Sequence, residues 1–198
     1  MRLHPFETIT YKGCTISLYQ DNSEESPRDW DNVGEILYMK SSRYLLGDRG
    51  TTSEEMNEIC AREDVIWLPV YAYIHSGTRL NTTGFSCPWD SGQCGIIWCT
   101  KARAIKEWGK KRFTPKVQKH AENCLRGEVE TLSQYYAGAV AGFVATDADG
   151  EDIDSCWGFY PDEDGHYREP IAQAKSAIDS YCENRAQQAE QHQDLIGA

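Results

Sequence analysis

Apolar and polar side chains alternate from Phe6 to Asp21 (FETITYKGCTISLYQD), on either side of Lys12-Gly13. Alternation with period two around a two-residue turn predicts a β-hairpin. Two apolar runs, Val65 to Ile74 (VIWLPVYAYI) and Gly95 to Thr100 (GIIWCT), are bounded by turn formers and predict buried strands. Pro69 inside the first has no amide hydrogen, so it belongs at an edge position or a bulge. Gly142 to Thr146 and Ile153 to Tyr160 flank Asp147-Ala-Asp-Gly150, which reads as a strand, a turn and a returning strand. Residues 35–50, EILYMKSSRYLLGDRG, mix their signals and predict short strands or irregular structure. The polar stretch before them, NSEESPRDWDNVG, is a loop in which Pro27 biases Ser26 away from helix.

Helical periodicity occupies other segments. Thr52-x-x-Glu55 is a capping-box pattern and predicts a helix from about Ser53 to Arg62. Lys101 to Trp108 reads as helical up to a break at Gly109. Thr114-Pro115 supplies an N-cap and a first-turn proline. From there Val117, Ala121, Cys124, Leu125, Val129, Leu132, Tyr135 and Tyr136 recur every three or four residues. Gly127 is a weak point that allows one helix or two, and Gly138 ends the segment. A last amphipathic helix starts near Pro170, with Ile171, Ala174, Ile178, Tyr181 and Cys182 on one face. Strands and helices mix without strict alternation, so the expected class is α+β: a mixed, largely antiparallel sheet packed by three to four helices. The expected organisation is a single domain over residues 1–184 and a fraying polar tail over 185–198.

Between the two apolar strands lies His75 to Cys99, HSGTRLNTTGFSCPWDSGQCGIIWC, which has turn formers and no helical period. It predicts a long loop before the second strand. Phe85, Pro88 and Trp89 would not be left in water by a disordered segment, so the loop should be an ordered surface.

Charge changes this picture at one place. The 198 residues carry a formal net charge of −11, which argues against direct nucleic-acid binding. Residues 101–120 interrupt the acidity with eight basic side chains against one acid, Glu107. We read this island, which includes KARAIKEWGKKRF, as a solvated surface that pairs with the protein's own acids. Its other reading is a site for phosphate or an acidic partner, with Trp108 and Phe113 interleaved. No run is long and apolar enough to span a bilayer, and MRLHPFETIT lacks the apolar core of a signal peptide. The expected location is therefore the cytoplasm, with the eight cysteines mostly reduced.

Motifs with catalytic meaning fail one by one. Gln93-Cys94-Gly95-Ile96-Ile97-Trp98 is similar to the start of a papain-like protease site, but Ile97 stands where the nucleophilic Cys must be. Cys87, Cys94 and Cys99 are separated by six and four residues and form no CxxC pair, so buried unligated thiols are expected rather than zinc. Asp147, Asp149, Glu151, Asp152 and Asp154 suggest a calcium loop, yet Gly150 comes fourth rather than sixth, and a hairpin turn is the shorter account. Asp29, Asp31 and Asp90 each adjoin a Trp, a combination used in sugar chemistry. The plainer reading makes Asp90 and Ser91 a turn brace. No GxSxG elbow, P-loop or GxGxxG is present. No metal site and no cofactor are assigned. The candidate binding residues are Trp30, Asp31, Asn32, His75, Trp89, Asp90, Gln93 and Trp157.

The words SPRDWDN (26–32), YLLGD (44–48), LPVYAYIHSG (68–77), FSCPWDSGQCG (85–95), RGEVETLSQYYAGAVAGF (126–143) and DSCWGFY (154–160), in this order and spacing, resemble a family of small proteins from bacteriophages and other bacterial mobile elements. The resemblance covers roughly residues 26 to 160. It implies expression in a bacterial host cytoplasm and an aliphatic residue in relatives at the place of Cys94, and it transfers no activity. Three functional expectations follow. The first is an accessory protein that binds a host protein as an acidic inhibitor of a defence system. The second is a small-molecule binder or hydrolase with a pocket built from the 75–99 loop. The third is a metal-dependent nuclease using the 147–154 acids.

Overall fold

Period-two and period-3.6 segments settle into nine strands and four helices among residues 4–22, 25–41 and 45–196, which the computed structural model describes. Outside the described residues lie 23–24 of the polar loop, 42–44 of the stretch after Glu35, and the termini 1–3 and 197–198. In chain order the elements are β1 (Glu7–Tyr11), β2 (Cys14–Gln20), β3 (Glu35–Met39), β4 (Arg49–Thr51), α1 (Ser53–Ala61), β5 (Val65–Ile74), β6 (Thr78–Asn81), β7 (Ser91–Thr100), α2 (Lys101–Glu107), α3 (Pro115–Tyr136), β8 (Ala141–Thr146), β9 (Asp152–Phe159) and α4 (Arg168–Ile196). A short 3-10 turn covers Pro27–Asp29. The class is α+β, with the strands shared between two mostly antiparallel sheets. Each sheet belongs to its own compact unit, one made of Met1–Ser23 with Gly138–Ala198 and the other of Glu24–Ala137.

In the first unit the order is β1-β2-β8-β9, antiparallel throughout. Lys12 and Gly13 both take positive φ, 49° and 79°, as the tight hairpin turn requires. Ala174 and Ile178 of α4 pack on Cys14, Ile16, Leu18, Phe143, Ala145 and Phe159. Two polar contacts fix the helix to the hairpin tips. Lys12 Nζ meets Asp179 at 2.7 Å. The Tyr181 hydroxyl donates to Asp147 Oδ2 at 2.8 Å, while Asp147 Oδ1 accepts from the amides of Asp149 and Glu151. The suspected calcium loop is therefore a turn organised by its first aspartate. α4 continues over the Gln/Ala-rich stretch to Ile196.

In the second unit the order is β4-β3-β7-β5-β6, with β3 and β4 parallel and the other pairs antiparallel. α3 is one continuous helix. It buries Val117, Ala121, Leu125, Val129 and Leu132 on Ile36, Ile66, Val70, Ala72, Leu80, Ile97 and Cys99. α1 covers part of the opposite face through Met56 and Ile59 on Leu37 and Ile96. Pro69 pairs only with β7, because β6 reaches no further along β5 than Tyr71. A register shift follows at Val70/Tyr71. A local edge and a bulge thus accommodate the missing amide.

The stretch 75–99 is more regular than a loop. His75–Gly77 is a tight turn, β6 follows, and β7 begins at Ser91, well before Gly95. Glycines lower intrinsic strand preference, but cross-strand pairing with β5 overrides it. Gly95 is required for that pairing, because a Cβ there would run into the Leu37 carbonyl on β3. Gly95→Ala is therefore expected to lower stability by about 2–3 kcal/mol, read as the urea midpoint, whereas Gly92→Ala, with nothing within 4 Å, should stay within about 0.5 kcal/mol.

The Tyr181 hydroxyl, helped by the Glu151 amide, holds the Asp147 carboxyl below its ordinary 3.8. A depressed folded value stabilises above the unfolded pKa and is lost as pH falls through the folded one. Tyr181→Phe should thus lower the urea midpoint at pH 7, and the gap to the wild type should close as pH drops below about 4.

Candidate functional site

The candidate residues gather at three places. The first is the end of the larger sheet where β5 turns into β6 and β7 begins. Ser76 sits at φ 54°, and its hydroxyl donates to the His75 carbonyl at 2.6 Å. This puts the His75 ring on the rim, where Nδ1 lies 3.3 Å from Asp90 Oδ2. The Tyr73 ring packs between Phe85, at 5.5 Å, and His75, at 6.3 Å. The Cys87 thiol donates to Asp90, the Ser91 hydroxyl donates to the Cys87 carbonyl, and the Ile74 amide bonds the Asp90 carbonyl. At the other end of the loop the Asn81 side chain accepts from the amides of Thr83 and Gly84 and donates to the Gly84 carbonyl. The 82–90 loop is thereby anchored at both ends. Asp90 braces it, and Trp89 stands at 86% exposure. Gln93 donates to the Gly95 carbonyl at 3.3 Å. The cavity beside the turn, lined by Tyr73, His75 and Arg79 among others, holds only about 150 Å³.

The second place is the loop before β3. Asn32 Nδ2 donates to the carbonyls of Pro27 and Trp30, and Arg103 bridges Asp31 Oδ1 at 2.9 Å and the Asn32 carbonyl at 3.3 Å. Trp30, Asp31 and Asn32 rim a broad open depression there. Asp31 pairs three residues beyond the C-terminal end of β7, and Asp90 directly precedes its N-terminal end. Ten strand residues separate them by about 30 Å. His75, Asp90 and Asp31 therefore share no cleft.

The third place is Trp157 on β9, in the other unit. Its ring covers the backbone of Gly142 and lies 6.3 Å from Tyr19.

Beneath the second place is a charged cluster that the candidate set misses. Arg28 donates through Nε and Nη2 to both oxygens of Asp48, at 2.8 and 2.7 Å, through Nη1 to Glu128 at 2.9 Å, and through Nη2 to the Gly34 carbonyl at 2.6 Å. Glu128 accepts from the amides of Val33 and Gly34, and Asp48 from that of Ile36. Only about a tenth of the Arg28 and Glu128 side chains is exposed. Twenty and eighty residues separate Arg28, Asp48 and Glu128 along the chain, so no local pattern marks them as a cluster.

The two thiols inside β7 are desolvated. Burial pushes Cys94 up to about 11, and Cys94 donates to the Val70 carbonyl. Burial, then the Glu128 charge, does the same to Cys99. No cysteine is in a disulfide. Among the described residues no three His, Cys, Asp or Glu side chains are placed to hold a metal ion, and no helix is long and apolar enough to cross a membrane.

The basic island departs from the expected self-pairing. Arg103 reaches Asp31 and Glu107, and Lys101 lies over the Phe113 ring at 5.1 Å. Lys106, Lys110, Lys111, Arg112, Lys116 and Lys119 form no ion pair with any described residue. The first turn of α3 holds no acid to meet them.

Comparison of the chain with protein-family models, with curated proteins and with solved structures finds no match.

Removing one partner of a buried charge cluster strands the others. Arg28→Ala should cost about 3–5 kcal/mol in urea unfolding, and Arg28→Lys, which cannot reproduce the fork, should recover only part of it.

Proposed function

We propose that the chain acts by binding a host protein through the face at the 75–93 end of its larger sheet. In the phage or mobile-element setting that the sequence resembles, the partner is a component of a bacterial defence system, and binding in the host cytoplasm inhibits it. The observation that carries this reading is Trp89, held 86% exposed on a loop fixed at both ends by side-chain hydrogen bonds. A large aromatic on a preorganised support is the usual anchor of a protein interface, because little ordering remains to oppose binding. Ile74, 38% exposed, and the His75–Asp90 pair lie beside it. Two further observations support a partner over an enzyme. The small cavity there is below the size of ordinary ligand pockets, and the carboxylates suspected of catalysis lie at opposite ends of β7. A net charge of −11 would steer the protein toward a basic partner surface.

The expected result is a stoichiometric complex isolated from host lysate at moderate salt, coupled to loss of a defence phenotype when the chain is expressed. Trp89→Ala should weaken that complex by roughly 2 kcal/mol or more while leaving the fold intact. Trp67→Ala, on β5 away from this end, should leave it unchanged. Absence of any stoichiometric partner, or a complex indifferent to Trp89, would sink the proposal.

A further inference from the structure

Four of the cations that form no ion pair with a described residue border one cavity. α2 ends at Trp108, Gly109 reverses the chain at φ 58°, and the connection runs through Lys110, Lys111 and Arg112 to Thr114, which caps α3. Between this connection and the first turns of α3 lies a cavity of about 440 Å³, bordered by Trp108, Lys110, Lys111, Arg112, Lys116 and His120. Among the described residues no carboxylate lines it. The Trp108 and His120 rings stand 6.1 Å apart and tilted by 46°, and Val117 adds apolar surface.

Four like charges around one cavity repel each other. Among the described residues no acid stands against them at the cavity. A bound anion would relieve that repulsion. The cavity also has flat aromatic walls and a volume within the range of small-ligand sites, roughly 300–1,000 Å³, which inorganic phosphate alone would not use. An anion with a planar ring meets all of these conditions: the ring lies against Trp108 and His120, and the phosphates meet the lysines and Arg112. A long nucleic-acid strand would carry its remaining phosphates over an acidic surface, whereas a compact ligand stays within the local positive field.

We propose that this cavity is a binding site for a free nucleoside di- or triphosphate. It lies at the N-terminal end of α3, while Ala137, just past the other end, borders the small cavity at His75. Twenty-two helical residues put about 33 Å between this site and the proposed partner face, so the two stand or fall separately.

Isothermal titration of the full chain with each of the four common ribonucleoside triphosphates tests it, with pyrophosphate and a ten-nucleotide oligodeoxythymidine as parallel probes. At least one nucleotide should bind at one site per chain, more tightly than pyrophosphate, with affinity falling as salt rises. The exposed-site variant Lys110→Ala/Lys111→Ala/Lys116→Ala should weaken it about tenfold or more without changing the melting temperature of the unliganded protein. His120→Ala should weaken the nucleotide but not pyrophosphate. No binding of any triphosphate at millimolar concentration, or binding that the triple variant leaves unchanged, overturns the proposal. Equal affinity for pyrophosphate overturns the role of the rings, and tighter binding of the oligonucleotide overturns the free nucleotide as ligand.

Discussion

The Arg28 guanidinium is the point at which distant parts of the larger unit must agree. It is nearly buried, so its charge is tolerable only with partners in place. It takes them from Asp48 before β4, from Glu128 on α3 and from the Gly34 carbonyl beside β3. Two carboxylates against one cation leave an excess negative charge. The amides of Val33, Gly34 and Ile36 spread it, and in return two loop donors and one amide of β3 are satisfied. Gly34 is tied to the same cluster from the apolar side, since a Cβ there would collide with Leu125 and Ile97. Leu125 and Glu128 are three residues apart and share a helix face. One turn of α3 therefore sets both the packing on the sheet and the position of the loop that carries Trp30 to Asn32.

β7 is the other organising element, and it explains why chemistry is absent from the centre of the fold. It pairs with β3 on one side and β5 on the other, and helices cover parts of both its faces. Cys94 and Cys99 are consequently desolvated, and a thiol pushed up to about 11 is held in its protonated form at neutral pH. Polar side chains emerge only where the strand runs out. Asp90, Ser91 and Gln93 do so at its start, and Thr100 at its end turns the chain into α2 by capping it through the Arg103 amide.

Local chemistry was legible wherever one segment decides its own shape. The Lys12-Gly13 hairpin, the caps at Thr52 and Thr114, the strand containing Pro69 and the Asp147 turn all follow from near neighbours. Even there the capping box is half formed, because Glu55 turns to Arg49 and the Thr51 hydroxyl instead of back to Thr52. Tertiary pairing was not legible. β6 and the first half of β7 are polar or glycine-rich, and they become strands only because β5 and the α3 residue Ser133, which accepts from the Leu80 amide, supply partners. The candidate site suffered in the same way. Tryptophans and carboxylates look alike in sequence, whereas the sheet distributes them to opposite ends of a strand and to a separate unit. Arg28, Asp48 and Glu128 looked like ordinary surface charges, because nothing within a few residues of each shows that the other two will meet it.

The same distinction applies to the basic island. Pairing with the protein's own acids is a reasonable expectation from net charge, but net charge is a property of the whole surface and an ion pair needs a partner within about 4 Å. Arg103 satisfies that condition because β3 brings Asp31 to it, and the connection after Gly109 does not because the helix it enters begins without an acid. The cations of residues 106–119 thus remain a local positive field on a molecule of opposite sign, held in shape by Trp108 and by the Thr114 cap. The helix that carries this field at one end abuts the 75–93 face at the other, and its middle turn is locked by Glu128. A helix fixed at its centre has little freedom to shift along its axis, so the two ends are expected to act as independent surfaces rather than as a coupled switch.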